Sequence, residues 1–145
     1  MELFDFEYSN SYYTNMNYIT DRIEALYSTP GAFDPSVLAS SLEPDVVLHV
    51  PGAHPLSGDH HGLAGVGGFL QRTREATTDG EHMELIELLG GKSHIGAYVR
   101  VTAQRAGRTP LVNHTIHLFR LGGDDRIAEI WFHNRDQAPV DEFWS

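Results

Sequence analysis

The stretch Leu111–His133, LVNHTIHLFRLGGDDRIAEIWFH, decides the architecture of this chain. Leu111–Leu121 and Ile127–His133 alternate with a period of two, and Gly122-Gly123-Asp124-Asp125 between them is a turn cluster. Alternation of this kind marks a strand with one buried face, and so short a connector joins antiparallel neighbours. Working outward, Met83–Leu89 and Ile95–Gln104 repeat the pattern, with Gly90-Gly91 and Ala106-Gly107 as separators. The second half of the chain therefore reads as a four-stranded antiparallel meander.

Upstream the period changes. Tyr18, Ile19, Ile23, Leu26 and Tyr27 recur at helical spacing up to Ser28, and Thr29-Pro30-Gly31 stops the helix. Asp34 before Pro35 has the capping chemistry of a short second helix through Leu42. Glu43-Pro44-Asp45 reads as a turn, Val46–Val50 as a strand ended by Pro51-Gly52, and Ala53–Gly62 as a loop with an extended piece at Ser57–His60. Leu63–Thr77 resumes helical spacing, and Val140, Phe143 and Trp144 give the tail Asp136–Ser145 the same spacing. Helices and one strand followed by a meander predict an α+β fold, with the helices on one face of a strongly curved, mostly antiparallel sheet that encloses a pocket. The whole of 1–145 is expected to be a single domain, with 1–13 as a flexible extension.

Composition narrows the function. Ten basic against twenty acidic residues give a net charge of −10, which repels nucleic acid backbones and anionic lipid surfaces. With no cysteine, thiol catalysis and disulfides are excluded. Glu2, Asp5 and Glu7 interrupt the aromatic start where an export signal needs a basic end and an apolar run. A cytoplasmic protein with neither nucleic acid nor membrane partners is expected.

The order of elements, together with His49-Val50-Pro51-Gly52-Ala53-His54-Pro55-Leu56-Ser57-Gly58 and Arg126-Ile127-Ala128-Glu129-Ile130-Trp131, resembles the nuclear transport factor 2-like superfamily, in its SnoaL-like branch. The resemblance implies a cone-shaped fold and a small apolar ligand, and it spans isomerases, polyketide cyclases, dehydratases, hydrolases and noncatalytic binders. Laid on the ketosteroid isomerases, His49 takes the place of the proton-shuttling aspartate and His117 that of an oxyanion-holding aspartate. The run Ile116–Arg120 is also similar to the strand of SnoaL cyclases that carries a pocket histidine. The isomerase tyrosine falls near Arg22, with Tyr18 one turn earlier. The carboxylate of the cyclases falls at or beside Phe132, where no acid stands.

Histidine exchanges protons near neutral pH, so His49 and His117 are the expected acid/base pair, pointing into one hollow. They would isomerise or cyclise a polyketide-like or other apolar carbonyl compound, with His54, Arg22, Tyr18, Phe132 and Trp131 as substrate-binding candidates. The alternatives are a noncatalytic ligand binder or scaffold, and a dehydratase or hydrolase in which Glu129 or Asp136 positions a water. The nine histidines show no recognisable metal spacing, and the Gly62–Gly68 run matches no nucleotide fingerprint. No metal or cofactor is expected. Ile116 and Leu118, on the face of their strand away from His117, suit burial in a homodimer across the outer sheet face.

Overall fold

All four period-two segments are strands, and each starts or ends within a few residues of its predicted limits. A computed structural model describes residues 18–145; the extension predicted over 1–13 lies outside them. The elements are α1 (18–28), α2 (Pro35–Leu38), a 3-10 turn (Ala39–Ser41), β1 (Leu42–Val50), β2 (Gly58–His61), α3 (Gly62–Ala76), β3 (Thr78–Gly90), β4 (His94–Gln104), β5 (Leu111–Leu121), β6 (Ile127–Asn134) and α4 (Gln137–Trp144).

The second helix is shorter than its capping signal suggested. Asp34 caps it as predicted, accepting from the Ser36 amide at 3.0 Å. Ser40 then bonds back to the Val37 carbonyl, a local bond that competes with helix continuation, and Leu42 is already the buried start of β1. Glu43-Pro44-Asp45, expected as a turn, runs within β1 where its register against β6 shifts between Leu42 and Val47. A proline is tolerated in a strand at such an irregularity.

The six strands form one curled, open sheet in the order β2-β1-β6-β5-β4-β3. The fold is the α+β, NTF2-like arrangement. Every pairing is antiparallel except β1 with β6, which run parallel with His49 opposite Trp131. The concave face collects Val46 and Leu48 of β1, Ile95, Ala97 and Val99 of β4, and Thr115, His117 and Phe119 of β5, all at most 6% exposed. Helices α1, α3 and α4 cover it with Ile19 and Ile23, with Val66 and Phe69, and with Val140, Phe143 and Trp144. Each fully buried Leu, Ile, Val or Phe contributes about 1.5–3 kcal/mol, so the apolar concave face holds the helices in place.

The loop after β1 positions α4. Gly52 has φ of 102°, a backbone region disfavoured for L side chains, and a Cβ there would collide with Asp141 and Gln137. The same two side chains tie the loop to the helix: Asp141 accepts from the Ala53 amide at 3.0 Å, and Gln137 Nε2 donates to the Pro51 carbonyl at 3.4 Å. Arg105 donates to the carbonyl of Phe143 and so holds the end of α4 against β4.

Candidate active site

Between the concave face and the helices lies a cavity of about 90 Å³. Apolar side chains of α1, α3, α4 and all strands but β2 dominate its wall, including Leu26, Phe33, Leu48, Phe69, Val101 and Trp144. Beside it lies a larger depression, the vestibule, of about 560 Å³, bordered by the end of α1, residues 29–34, the end of α3 and the start of β3. Leu26, Phe33, Leu70, Glu81 and Met83 border both spaces.

His117 reaches the chamber from the middle of β5 because strand alternation sends Leu111, Asn113, Thr115, His117 and Phe119 to the same side. Its Nδ1 is 2.8 Å from the Tyr27 hydroxyl, and its ring lies 4.6 Å from that of Phe132. Burial pushes the imidazole down to about 4 and the Tyr27 phenol far above its ordinary value. Both are neutral at pH 7. With Nδ1 engaged by Tyr27, Nε2 is the nitrogen left for a ligand, and the pair has one proton to offer and one lone pair to receive with.

The remaining polar wall is partly wired and partly open. Asn113 Nδ2 donates to Asn134 Oδ1, Asn134 Nδ2 to Gln137 Oε1, and Gln137 Nε2 to Asp141 Oδ1, at 2.9, 2.9 and 3.0 Å. His54 Nδ1 accepts from the Leu56 amide at 3.2 Å, so in the neutral ring Nε2 carries the proton. Burial lowers the His54 pKa, opposed by the nearby Asp141 carboxylate. Among the described residues, His54 Nε2 and Thr115 Oγ1 are the buried side-chain polar atoms with no hydrogen-bond partner. Such atoms each cost about 1–3 kcal/mol, and both residues border the cavity.

Of the predicted site residues, His117, His54 and Phe132 line this chamber. His49 does not, and the expectation that it shares a hollow with His117 is corrected. Val46, Leu48 and Val50 take the inward positions of β1 and send His49 to the outer face. There Nδ1 donates to Asp59 at 2.7 Å and Nε2 to Glu129 at 2.6 Å. Carboxylates only accept, so both nitrogens carry protons and the ring is a cation. Burial would lower its pKa, yet the bonds to Glu129 and Asp59 outweigh this and raise it. Arg120 completes the cluster by donating to Glu129 at 3.1 Å.

Trp131 is on that outer face as well, stacked on His49 with ring centroids 5.3 Å apart, because Phe132 is the residue of β6 that faces inward. Arg22 donates to the Asp125 carbonyl at 3.0 Å, and its guanidinium lies over the exposed ring of Tyr18. These three residues are structural and superficial rather than cavity contacts. Glu129 is held in the outer cluster and Asp136 is an exposed residue before α4, so neither carboxylate is positioned to direct a water inside.

Two cavity groups escaped the sequence reading. Tyr27 was legible only as an apolar position of a helix. Glu81 precedes the predicted strand Met83–Leu89, next to Asp79-Gly80, whose turn chemistry was the sole local signal. Among the described residues, no group of three or more His, Asp or Glu is arranged to hold a metal ion, and no helix is long and apolar enough to cross a membrane.

Residues 23–130 match the SnoaL-like domain model, and the chain belongs to that family. It is similar to a Xanthomonas campestris protein of unknown function with a cystatin-like fold, at 26% identity and TM-score 0.78 over 88% of this chain and 98% of that one. Bal32a, from a soil-derived mobile gene cassette, aligns at 22% identity and TM-score 0.81, covering 90% and 98%. TerC, co-crystallised with polyporic acid, aligns at 18% identity and TM-score 0.72, covering 88% and 98%. No curated protein matches the chain.

Proposed function

We propose that this SnoaL-like protein is a cytoplasmic, cofactor-independent enzyme that isomerises or cyclises a small, mostly apolar carbonyl compound, such as a polyketide-like biosynthetic intermediate. The observation that carries this reading is His117 on the wall of a mostly apolar chamber, its Nδ1 engaged by the Tyr27 hydroxyl of the neighbouring vestibule. A neutral imidazole whose Nδ1 accepts from the Tyr27 phenol has its Nε2 proton to donate to a carbonyl oxygen, and a donor there stabilises the negative charge that grows on that oxygen when the neighbouring carbon loses a proton. Preorganised donors of this type are worth about 10²–10³-fold each. His117 therefore serves as a hydrogen-bond donor rather than as the base, since an imidazole whose pKa is near 4 takes up little charge at pH 7.

Screening β,γ-unsaturated ketones and poly-β-ketone model compounds by ultraviolet absorbance tests the reading. Turnover should appear with one of them and fall at least about 100-fold in His117→Ala. Equal turnover in the variant would remove the proposal. The unpartnered Thr115 Oγ1 and His54 Nε2 favour ligand capture with or without chemistry, so tight binding with no conversion would instead identify a noncatalytic binder.

The proposal extends to assembly. Trp131, Ile116, Leu118 and Tyr98 are only partly covered on the outer face of the sheet, which supports a homodimer across that face. Sedimentation equilibrium should return twice the mass of the chain; a monomer would contradict it.

A further inference from the structure

A carbonyl oxygen bound at His117 leaves the proton on the neighbouring carbon without an acceptor, and the cavity wall contains a carboxyl group to take it. Glu81 stands near the start of β3, after Asp79 and Gly80, whose φ values are 61° and 75°. The register of β3 against β4 shifts across the same residues, between Thr78 and His82. This irregular start sends Glu81 and Met83 to the cavity while His82 and Glu84 stay exposed. Asp and Gly are the residue types that enter the left-handed region most readily, so Asp79-Gly80 turns the backbone just before the carboxyl group that faces inward. Glu81 lines both the chamber and the vestibule.

We infer that Glu81 is the general base of this site, taking the proton from the carbon beside a carbonyl whose oxygen accepts from His117, itself oriented by Tyr27. The inference rests on the enzymatic reading of the cavity. An O–H bond forms on Glu81 as the C–H bond breaks. The C–H electron pair becomes a carbon–carbon π bond, and the carbonyl π pair moves onto oxygen to give an enolate. For isomerisation, Glu81 returns the proton to a different carbon of the conjugated system. For ring closure, the enolate carbon attacks a second carbonyl of the same molecule, and the new alkoxide recovers the proton from Glu81. Neither route needs an oxidant, a reductant or a co-substrate.

The electrostatics agree with the geometry. Burial pushes the Glu81 carboxyl up to about 7, against an opposing contribution from Thr73, so it is poised to accept and return a proton at neutral pH. The same enclosure pushes His117 down to about 4. Two groups in one cavity driven in opposite directions divide the labour: the carboxylate moves the proton and the neutral imidazole holds the oxygen. The substrate class that follows is a ketone with an acidified neighbouring C–H, its carbonyl in the chamber and its apolar body in the vestibule.

The probe is 2-indanone, a flat ketone with acidified neighbouring C–H bonds, incubated with the intact protein in D₂O and followed by proton NMR. Wild type should accelerate deuterium exchange, with a rate that rises with pH through a midpoint near 7. Glu81→Gln should lose at least about 100-fold of that exchange while binding the ketone within a few-fold, and Glu81→Asp should retain part of it. If Glu81→Gln exchanges at the wild-type rate, or the wild-type rate shows no inflection near pH 7, the inference is overturned; loss of exchange in His117→Gln would then show that the enzymatic reading still stands. If wild type binds 2-indanone without exchange above buffer, or does not bind it, both fall together.

Discussion

The phenol oxygen of Tyr27 and Nδ1 of His117 meet at 2.8 Å across 90 positions of sequence, fastening α1 to the middle of the sheet. Tyr27→Phe keeps the edge-on packing against Phe33 but leaves a buried imidazole nitrogen without its partner. It should cost about 1–3 kcal/mol of stability in urea unfolding. A variant as stable as wild type would mean that the contact stabilises nothing.

His117 makes the folded state sensitive to acid. Its pKa is about 4 when folded and near 6.5 in an unfolded chain, so between these values the unfolded chain binds the extra proton. Stability present above pH 6.5 is therefore lost as pH falls towards 4, by about 3 kcal/mol. The carboxylates also respond to acid, so the decisive quantity is the difference between proteins. His117→Leu should show a shallower loss than wild type between pH 7 and 4.5 by urea titration, and parallel curves would refute the assignment.

Glu81 acts in the opposite direction. Its folded pKa is raised to about 7, so stability is complete below its unfolded value near 4.5 and is lost as pH rises through 7. Glu81→Gln removes that loss. It should be about 1–3 kcal/mol more stable than wild type at pH 8.5 and close to it at pH 5, as measured by urea midpoints. A variant less stable at pH 8.5 would show that the carboxylate is welcome in the fold.

On the outer face, His49 is cationic between Asp59 and Glu129. With its folded pKa raised, its contribution is complete below pH 6.5 and fades as pH climbs through the raised value. Thermal unfolding of His49→Asn should reveal a deficit on the order of 1 kcal/mol at pH 6 that disappears at high pH. Because His49 is outside the cavity, 2-indanone affinity should not change in this variant. A weakened affinity would place His49 back among the ligand contacts.

The meander was legible because alternation is a local property of each strand, and His117 followed from it: once Leu111 and Phe119 face inward, so must the residues between them at every second position. His49 was not legible. Val46, Val47, Leu48 and Val50 offer apolar side chains to both faces of β1, so period two does not say which face is buried. The choice is made by β6, whose parallel pairing with β1 joins residues some 80 positions apart. Trp131 and Phe132 were legible as a pair with one inward member, but only that pairing settles which. Tyr27 and Glu81 become site residues through distant contacts, the first at the exposed end of a helix and the second at an irregular strand start, where periodicity carries no information.

The parallel seam between β1 and β6 also governs how the chamber comes into being. Among the described residues β6 is wedged between β1 and β5, so until it inserts, β1 is paired there with the four residues of β2 alone and offers its other edge to any passing strand. Long-range closure of this kind is entropically slow. The hollow therefore takes shape only once β6 has joined β1 to β5, and a ligand cannot be gripped before that seam has closed.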